Sequence, residues 1–120
     1  MTARILLVED SALISGALRV LLEASGYDVT VAATASEAIA WPDGSPPDVM
    51  LLDLTLPDGD GLTVIGGLAA RGLRPRATLA MTGHGDTATR ERCASAGCDA
   101  VLVKPVPVKE LLQIVSDRVV

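Results

Sequence analysis

The sequence predicts a doubly wound α/β fold: a five-stranded parallel sheet with helices on both faces. Three observations carry that expectation. Five short apolar runs alternate with five helical stretches along the 120 residues, and repeated strand–helix alternation builds a parallel sheet. The first run, Arg4-Ile-Leu-Leu-Val8, is almost continuously apolar, as in a strand covered on both faces. Apolar residues make up 49% of the chain but aromatics only 2%, Tyr27 and Trp41 alone, so the core has to be Leu, Val, Ile and Ala. A chain of this length buries roughly two-thirds of its unfolded surface around one core. Residues 1–120 are therefore read as one domain.

After the first strand, Ser11 to Ser25 carries Leu13, Ala17, Leu18, Leu21 and Leu22 at helical spacing, and Gly26 is a natural stop. Asp28-Val-Thr-Val-Ala32 alternates and suits an edge strand. Thr34-Ala-Ser-Glu37 is a capping box opening a short helix with Ala38, Ile39 and Trp41. Pro42 ends it, and Asp43 to Pro47 is a loop. Val49-Met-Leu-Leu52 is the third strand, and Pro57-Asp-Gly-Asp-Gly61 is turn chemistry. A third helix runs from about Gly61 to Ala70, weakened by Gly66-Gly67, a pair read as close helix packing because no Gly-Lys-Ser/Thr follows. Ala77 to Met81 is the fourth strand, Asp86 to Ala96 a polar helix stopped by Gly97, Ala100 to Val103 the fifth strand, and Val108 to about Val119 the last helix.

Charge and composition exclude several classes. A net charge of −5 argues against direct nucleic-acid binding, which needs a basic face. Arg71, Arg74 and Arg76 read as a solvated loop. No apolar run approaches the roughly 18 residues of a membrane span. The first one stops at Glu9-Asp10, so no signal peptide is read and a cytoplasmic location is expected. Cys93 and Cys98 lie five apart in a predicted helix, off a common face and without His or Cys partners for a metal. Both are read as reduced structural cysteines.

In open parallel sheets, ligands bind beyond the carboxyl ends of the strands. Past strand one come Glu9 and Asp10, past strand three Asp53, past strand four Thr82 and past strand five Lys104. Alone, Glu9-Asp10 would be a favourable charge pair at a helix N-terminus, and Thr82 and Lys104 turn residues. Gathered at one rim, three carboxylates repel and call for a hard cation with oxygen ligands, which magnesium satisfies while keeping waters. Lys104 offers a point charge for a phosphate and Thr82 a donor hydroxyl. A carboxylate in that setting is equipped to become an aspartyl phosphate.

The sequence resembles response-regulator receiver domains along essentially its whole length. The resemblance rests on Leu7-Val-Glu-Asp10, on Met50-Leu-Leu-Asp-Leu54 with Pro57-Asp-Gly-Asp-Gly61, on Met81-Thr-Gly-His84 and on Val103-Lys-Pro105. It implies a flavodoxin-like (βα)5 sandwich of strand order 2-1-3-4-5, with Asp53 as phosphoacceptor, Glu9 and Asp10 as the metal-holding acids, Thr82 as switch hydroxyl and Lys104 as phosphate-binding lysine. It further implies Mg2+ as cofactor, the Thr55 backbone carbonyl as a metal ligand, and a cis bond between Lys104 and Pro105. The implied phosphoryl source is a histidine kinase or histidine phosphotransfer protein, with a downstream output domain or protein as a further partner. Positions 55 and 84 flank the phosphoryl group in such domains and tune its lifetime, although an ordinary solvated loop residue is the alternative for His84.

One position departs from the family pattern. Receivers usually carry Tyr or Phe three residues before the lysine, and here that residue is Val101. Phosphoacceptance loses no contact by this, but the usual inward movement of a ring is unavailable. Signalling through backbone movement after Thr82, or service as a phosphate relay or sink, then remains. The expectation is a phosphoacceptor that promotes only its own phosphorylation and dephosphorylation, standing alone or cut from a longer regulator or hybrid kinase. Its rivals are a docking module that is never phosphorylated, and a phosphohydrolase, whose second carboxylate would be expected at position 55, where Thr55 stands.

Overall fold

The computed structural model describes residues 2–119; Met1 and Val120, within the expected domain 1–120, lie outside the described residues. Five parallel strands form the main sheet: β1 (Arg4–Val8), β2 (Asp28–Ala32), β3 (Val49–Asp53), β6 (Ala77–Thr82) and β7 (Ala100–Val103). Two short strands, β4 (Thr55–Leu56) and β5 (Gly59–Asp60), make a separate antiparallel hairpin. The sheet order is β2-β1-β3-β6-β7, which is 2-1-3-4-5 when only its own strands are counted. The helices are α1 (Ala12–Ala24), α2 (Ala35–Ile39), α3 (Thr63–Ala70), α4 (Thr87–Ala96) and α5 (Val108–Val119).

Alternate residues of β1 feed two cores. Ile5 and Leu7 join Leu22 of α1 and Leu111 and Val115 of α5 on one face. Leu6 and Val8 join Ala38 of α2, Trp41, and Val64 and Leu68 of α3 on the other. Burial on both faces explains why β1 and β3 read as continuous apolar runs.

Local chemistry sets the helix ends. Ser11 caps α1, its side chain accepting from the Ile14 amide at 3.3 Å. Thr34 Oγ1 accepts from the Glu37 amide at 3.1 Å, while Glu37 reaches back to the Ala33 amide at 3.0 Å, one residue beyond the usual box partner. Gly97, at φ 98°, ends α4 in the left-handed conformation that glycine adopts without strain. Gly67 packs where a Cβ would stand 2.5 Å from Ile39 Cδ1, so close α2–α3 contact is its reason, whereas Gly66 faces open space.

Several expectations need correction, among them the second helix, which ends at Ile39 and so leaves Trp41 beyond it. Leu13 and Ala17 do not face the core: Leu13 is 85% exposed, and the buried side of α1 is Ser15 and Leu22 with Leu18 half-buried. Helical spacing marks a stripe, and α1 carries more apolar surface than the sheet covers. The third helix begins at Thr63, because Gly59 to Gly61 belongs to the hairpin and its exit. Cys98 lies beyond α4, where the turn at Gly97 brings its amide to 2.9 Å from the Cys93 carbonyl. The two cysteines are therefore the residue pair that meets across such a helix end. Both are free thiols, and burial, with Cys93 next, pushes the Cys98 thiol up to about 12.

Arg71 donates to the carbonyls of Ile39 and Trp41, Arg76 stands 3.8 Å from Asp48, and all three loop arginines are exposed. No helix among the described residues is long and apolar enough to cross a membrane.

Candidate phosphoacceptor and metal site

Strand geometry delivers the acidic groups. β1 ends at Val8, and Glu9 follows with its amide 3.0 Å from the Ala32 carbonyl. β3 runs one residue further than expected, so Asp53 is its last residue, paired in register with Met81 of β6. β6 likewise extends to Thr82, which pairs with Val103 of β7. Lys104 comes next and anchors its amide on the Thr82 carbonyl at 2.7 Å. The bond between Lys104 and Pro105 is cis.

The structure brings Glu9, Asp10, Asp53 and Lys104 together. One oxygen from each of the three carboxylates lies within 4.8 Å of the others. Lys104 Nζ donates to Asp53 Oδ2 at 2.9 Å and to Glu9 Oε1 at 3.5 Å. Glu9 and Asp53 are 2% and 5% exposed, Asp10 is exposed and Lys104 half-buried. Burial pushes the Glu9 carboxyl up to about 7, helped by its hydrogen bond to Asp53 and by that residue's charge, against the opposing pull of Lys104. Burial alone would lower Lys104, but its bond to Asp53 and the charges of Asp53 and Glu9 prevail and hold it above its ordinary value.

Thr82 is buried, and its Oγ1 accepts the His84 amide at 3.0 Å. The Thr55 amide donates to Asp53 Oδ1 at 3.0 Å while the Thr55 side chain is exposed. His84 is exposed in the loop after β6. Val101 is half-buried on β7, opposite Ala80.

The donor set fits magnesium: carboxylate oxygens of two buried acids and one exposed acid, close enough to share one hard cation and open on the Asp10 side. An oxygen-only set of this kind suits neither zinc nor copper.

Sequence reasoning missed two residues. A Cβ at Gly61 would stand 2.2 Å from the Asp53 backbone oxygen, so only glycine lets the chain return that close to Asp53. Asp58 was read only as turn chemistry, yet its carboxylate binds the start of α2, accepting from the Ala35 amide at 2.9 Å and the Ser36 amide at 3.1 Å. The spacing that makes Asp-Gly-Asp-Gly a turn signal hides both roles, because each depends on where the turn lands.

A family model described as "Response regulator receiver domain" matches residues 5–116. The transcriptional regulatory protein KdpE of Mycobacterium tuberculosis is 35% identical over 108 residues, covering 90% of this chain and 47% of that protein. The chain thus spans about half the length of the first curated relatives it matches. The polar-differentiation response regulator DivK of Brucella ovis is 32% identical over 117 residues, covering 97% of this chain and 95% of DivK. Among solved structures, the receiver domain of sensor histidine kinase PA1611 from Pseudomonas aeruginosa, with a magnesium ion coordinated in its active site cleft, superimposes with a TM-score of 0.85 at 29% identity. That match covers 99% of this chain and 98% of the other.

Proposed function

This chain belongs to the response regulator receiver domain family, and from that membership we propose that Asp53 accepts a phosphoryl group in a magnesium-dependent reaction and so switches or relays a two-component signal. The observation that carries the proposal is the buried Asp53 carboxylate held 2.9 Å from Lys104 Nζ beside two further acids.

An Asp53 oxygen attacks phosphorus as the bond to the donor's nitrogen or oxygen breaks, and the leaving atom keeps that electron pair. Glu9, Asp10, Asp53 and the Thr55 carbonyl would hold the metal, which when bound supplies positive charge to the carboxylates and to the phosphoryl oxygens. Lys104, now neutralising Asp53 and Glu9, turns its charge to the incoming oxygens. Thr82 gives its hydroxyl hydrogen to one of them. The lysine is already beside Asp53, so its charge needs little reorganisation to meet the incoming group. Thr55 and His84 lie two residues beyond acceptor and hydroxyl and tune the lifetime of the product.

The phosphoryl donor is a histidine kinase or histidine phosphotransfer protein, and the recipient of the signal is an output domain or protein. The domain spans residues 1–120 and works in the cytoplasm. It acts on no free substrate beyond its own phosphorylation and dephosphorylation.

Incubation with acetyl phosphate and magnesium, followed by intact mass, tests the reading. Added mass on wild type and Thr82→Ala, but none on Asp53→Ala, is expected. No added mass on wild type would leave a docking module, and continuous phosphate release without a lasting adduct would leave a phosphohydrolase.

A further inference from the structure

We infer that Asp58 is a positioning residue for the metal site: its carboxylate clamps the hairpin that carries Thr55 to the N-terminus of α2, and so fixes where the Thr55 carbonyl lies. The inference rests on the proposed role of that carbonyl as a metal ligand.

The hairpin cannot hold itself. β4 and β5 have two residues each, paired as Thr55 with Asp60 and Leu56 with Gly59, and a two-stranded ribbon even of ordinary length is marginal in water. Three of its own side chains anchor it. Leu56 is buried in the core beneath α2 and α3. Asp60 accepts the Leu62 amide at 3.0 Å and is ion-paired with Arg92 of α4. Asp58, at the tip, binds α2 through three hydrogen bonds: the Ala35 amide, the Ser36 amide and the Ser36 hydroxyl at 3.2 Å.

The third anchor is matched to an unmet need. The first amides of a helix have no partner within it. In α2, Thr34 takes the Glu37 amide, and Asp58 takes the two that remain, from 22 and 23 residues away along the chain. Those amides hold the Asp58 carboxyl below its usual range, Ala35 first and Ser36 next. Contact between Gly67 and Ile39 seats α2 against α3, so the clamp ties the hairpin to the body of the domain.

A carboxylate ligand can re-aim by rotating its side chain, but a carbonyl ligand moves only with its backbone. Thr55 is three residues from the clamp and two from Asp53, whose Oδ1 takes its amide. Magnesium demands near-ideal octahedral geometry, so a hairpin released at its tip presents the Thr55 carbonyl poorly.

Calorimetric titration of the full chain with magnesium chloride at neutral pH tests this on wild type, Asp58→Ala, Asp58→Asn and Thr34→Ala. Asp58→Ala should weaken magnesium binding by about tenfold, the loss typical of a residue that orients a metal ligand. Asp58→Asn, which keeps one acceptor oxygen, should lose less. Thr34→Ala removes the other cap of α2 without touching the hairpin and should bind as wild type does. Should Asp58→Ala not fold, Asp58→Gly makes the same deletion with a residue suited to a turn tip. Wild-type affinity in the deletion variant overturns the inference, and so does an equal loss in Thr34→Ala, which would make α2 stability the cause. Absence of binding by wild type overturns the metal reading itself, and this inference with it.

Discussion

Lys104 Nζ stands 2.9 Å from Asp53 Oδ2 and 3.5 Å from Glu9 Oε1, so one cation bridges two buried acids. The lysine therefore lowers the cost of gathering carboxylates at this rim. Replacing it should be felt first by Glu9, whose carboxyl Lys104 pulls down. In Lys104→Met, Glu9 should titrate above its wild-type value of about 7, as read by carboxyl carbon NMR on the metal-free protein. An unchanged titration would mean the pair is not formed in solution.

Stability of the metal-free protein should depend on pH through the same residue. Glu9 rises from 4.5 to about 7 on folding, so the folded state binds more protons than the unfolded state across that interval. The stabilising contribution is complete below about 4.5 and is lost as pH rises to about 7. Urea melts at several pH values should show this decline, and Asp53→Asn should flatten it by removing the charge that helps raise Glu9. Magnesium at ten times its dissociation constant should add ~1.4 kcal/mol to wild type at neutral pH and less to Asp53→Asn.

Gly61→Ala should damage both fold and site. Its new methyl would meet the Asp53 backbone oxygen at 2.2 Å, a clash with backbone that no rotamer relieves. A loss of about 1–3 kcal/mol is expected, with slower phosphorylation of the folded fraction. Gly66→Ala, where nothing lies within 4 Å, is the control and should be neutral or slightly stabilising in urea melts.

Val101→Tyr should leave the rate of phosphoryl uptake within about a few-fold, since a side chain that makes no contact with the reacting group removes no transition-state interaction. Val101 pairs with Ala80, two residues short of Thr82 along β6, and takes no part in the Asp53–Lys104 contacts. Kinetics with acetyl phosphate decide, and a collapsed rate would show that position 101 packs against the site.

The strands and the polar residues at their ends are legible because buried parallel strands leave a continuous apolar signature and four of the five close on an ionisable or hydroxyl group, whereas the strand order comes from the family resemblance. Asp53 and Thr82, expected just past their strands, are instead the last strand residues, since a polar residue closes an apolar run whether or not the ladder continues. The exposed Leu13 shows the limit of periodicity: spacing identifies an apolar stripe without saying whether a neighbour covers it. The second role of Asp58 was invisible for another reason. Its partners, Ala35 and Ser36, precede it by more than twenty residues, and no local pattern reports a contact made by folding.

The chain has a single tryptophan, and its placement gives the protein a built-in optical probe of limited scope. Trp41 is 2% exposed, its indole N–H donates to the Ser45 carbonyl at 2.9 Å, and the Arg4 guanidinium lies 5.6 Å from the ring centroid. Arg4 opens β1 and Glu9 follows its close, so the ring sits about a strand's length from the acidic rim. Its emission should follow the melting of the layer built on α2 and α3 with little background. Events at Asp53 would reach that fluorescence only by travelling through the domain.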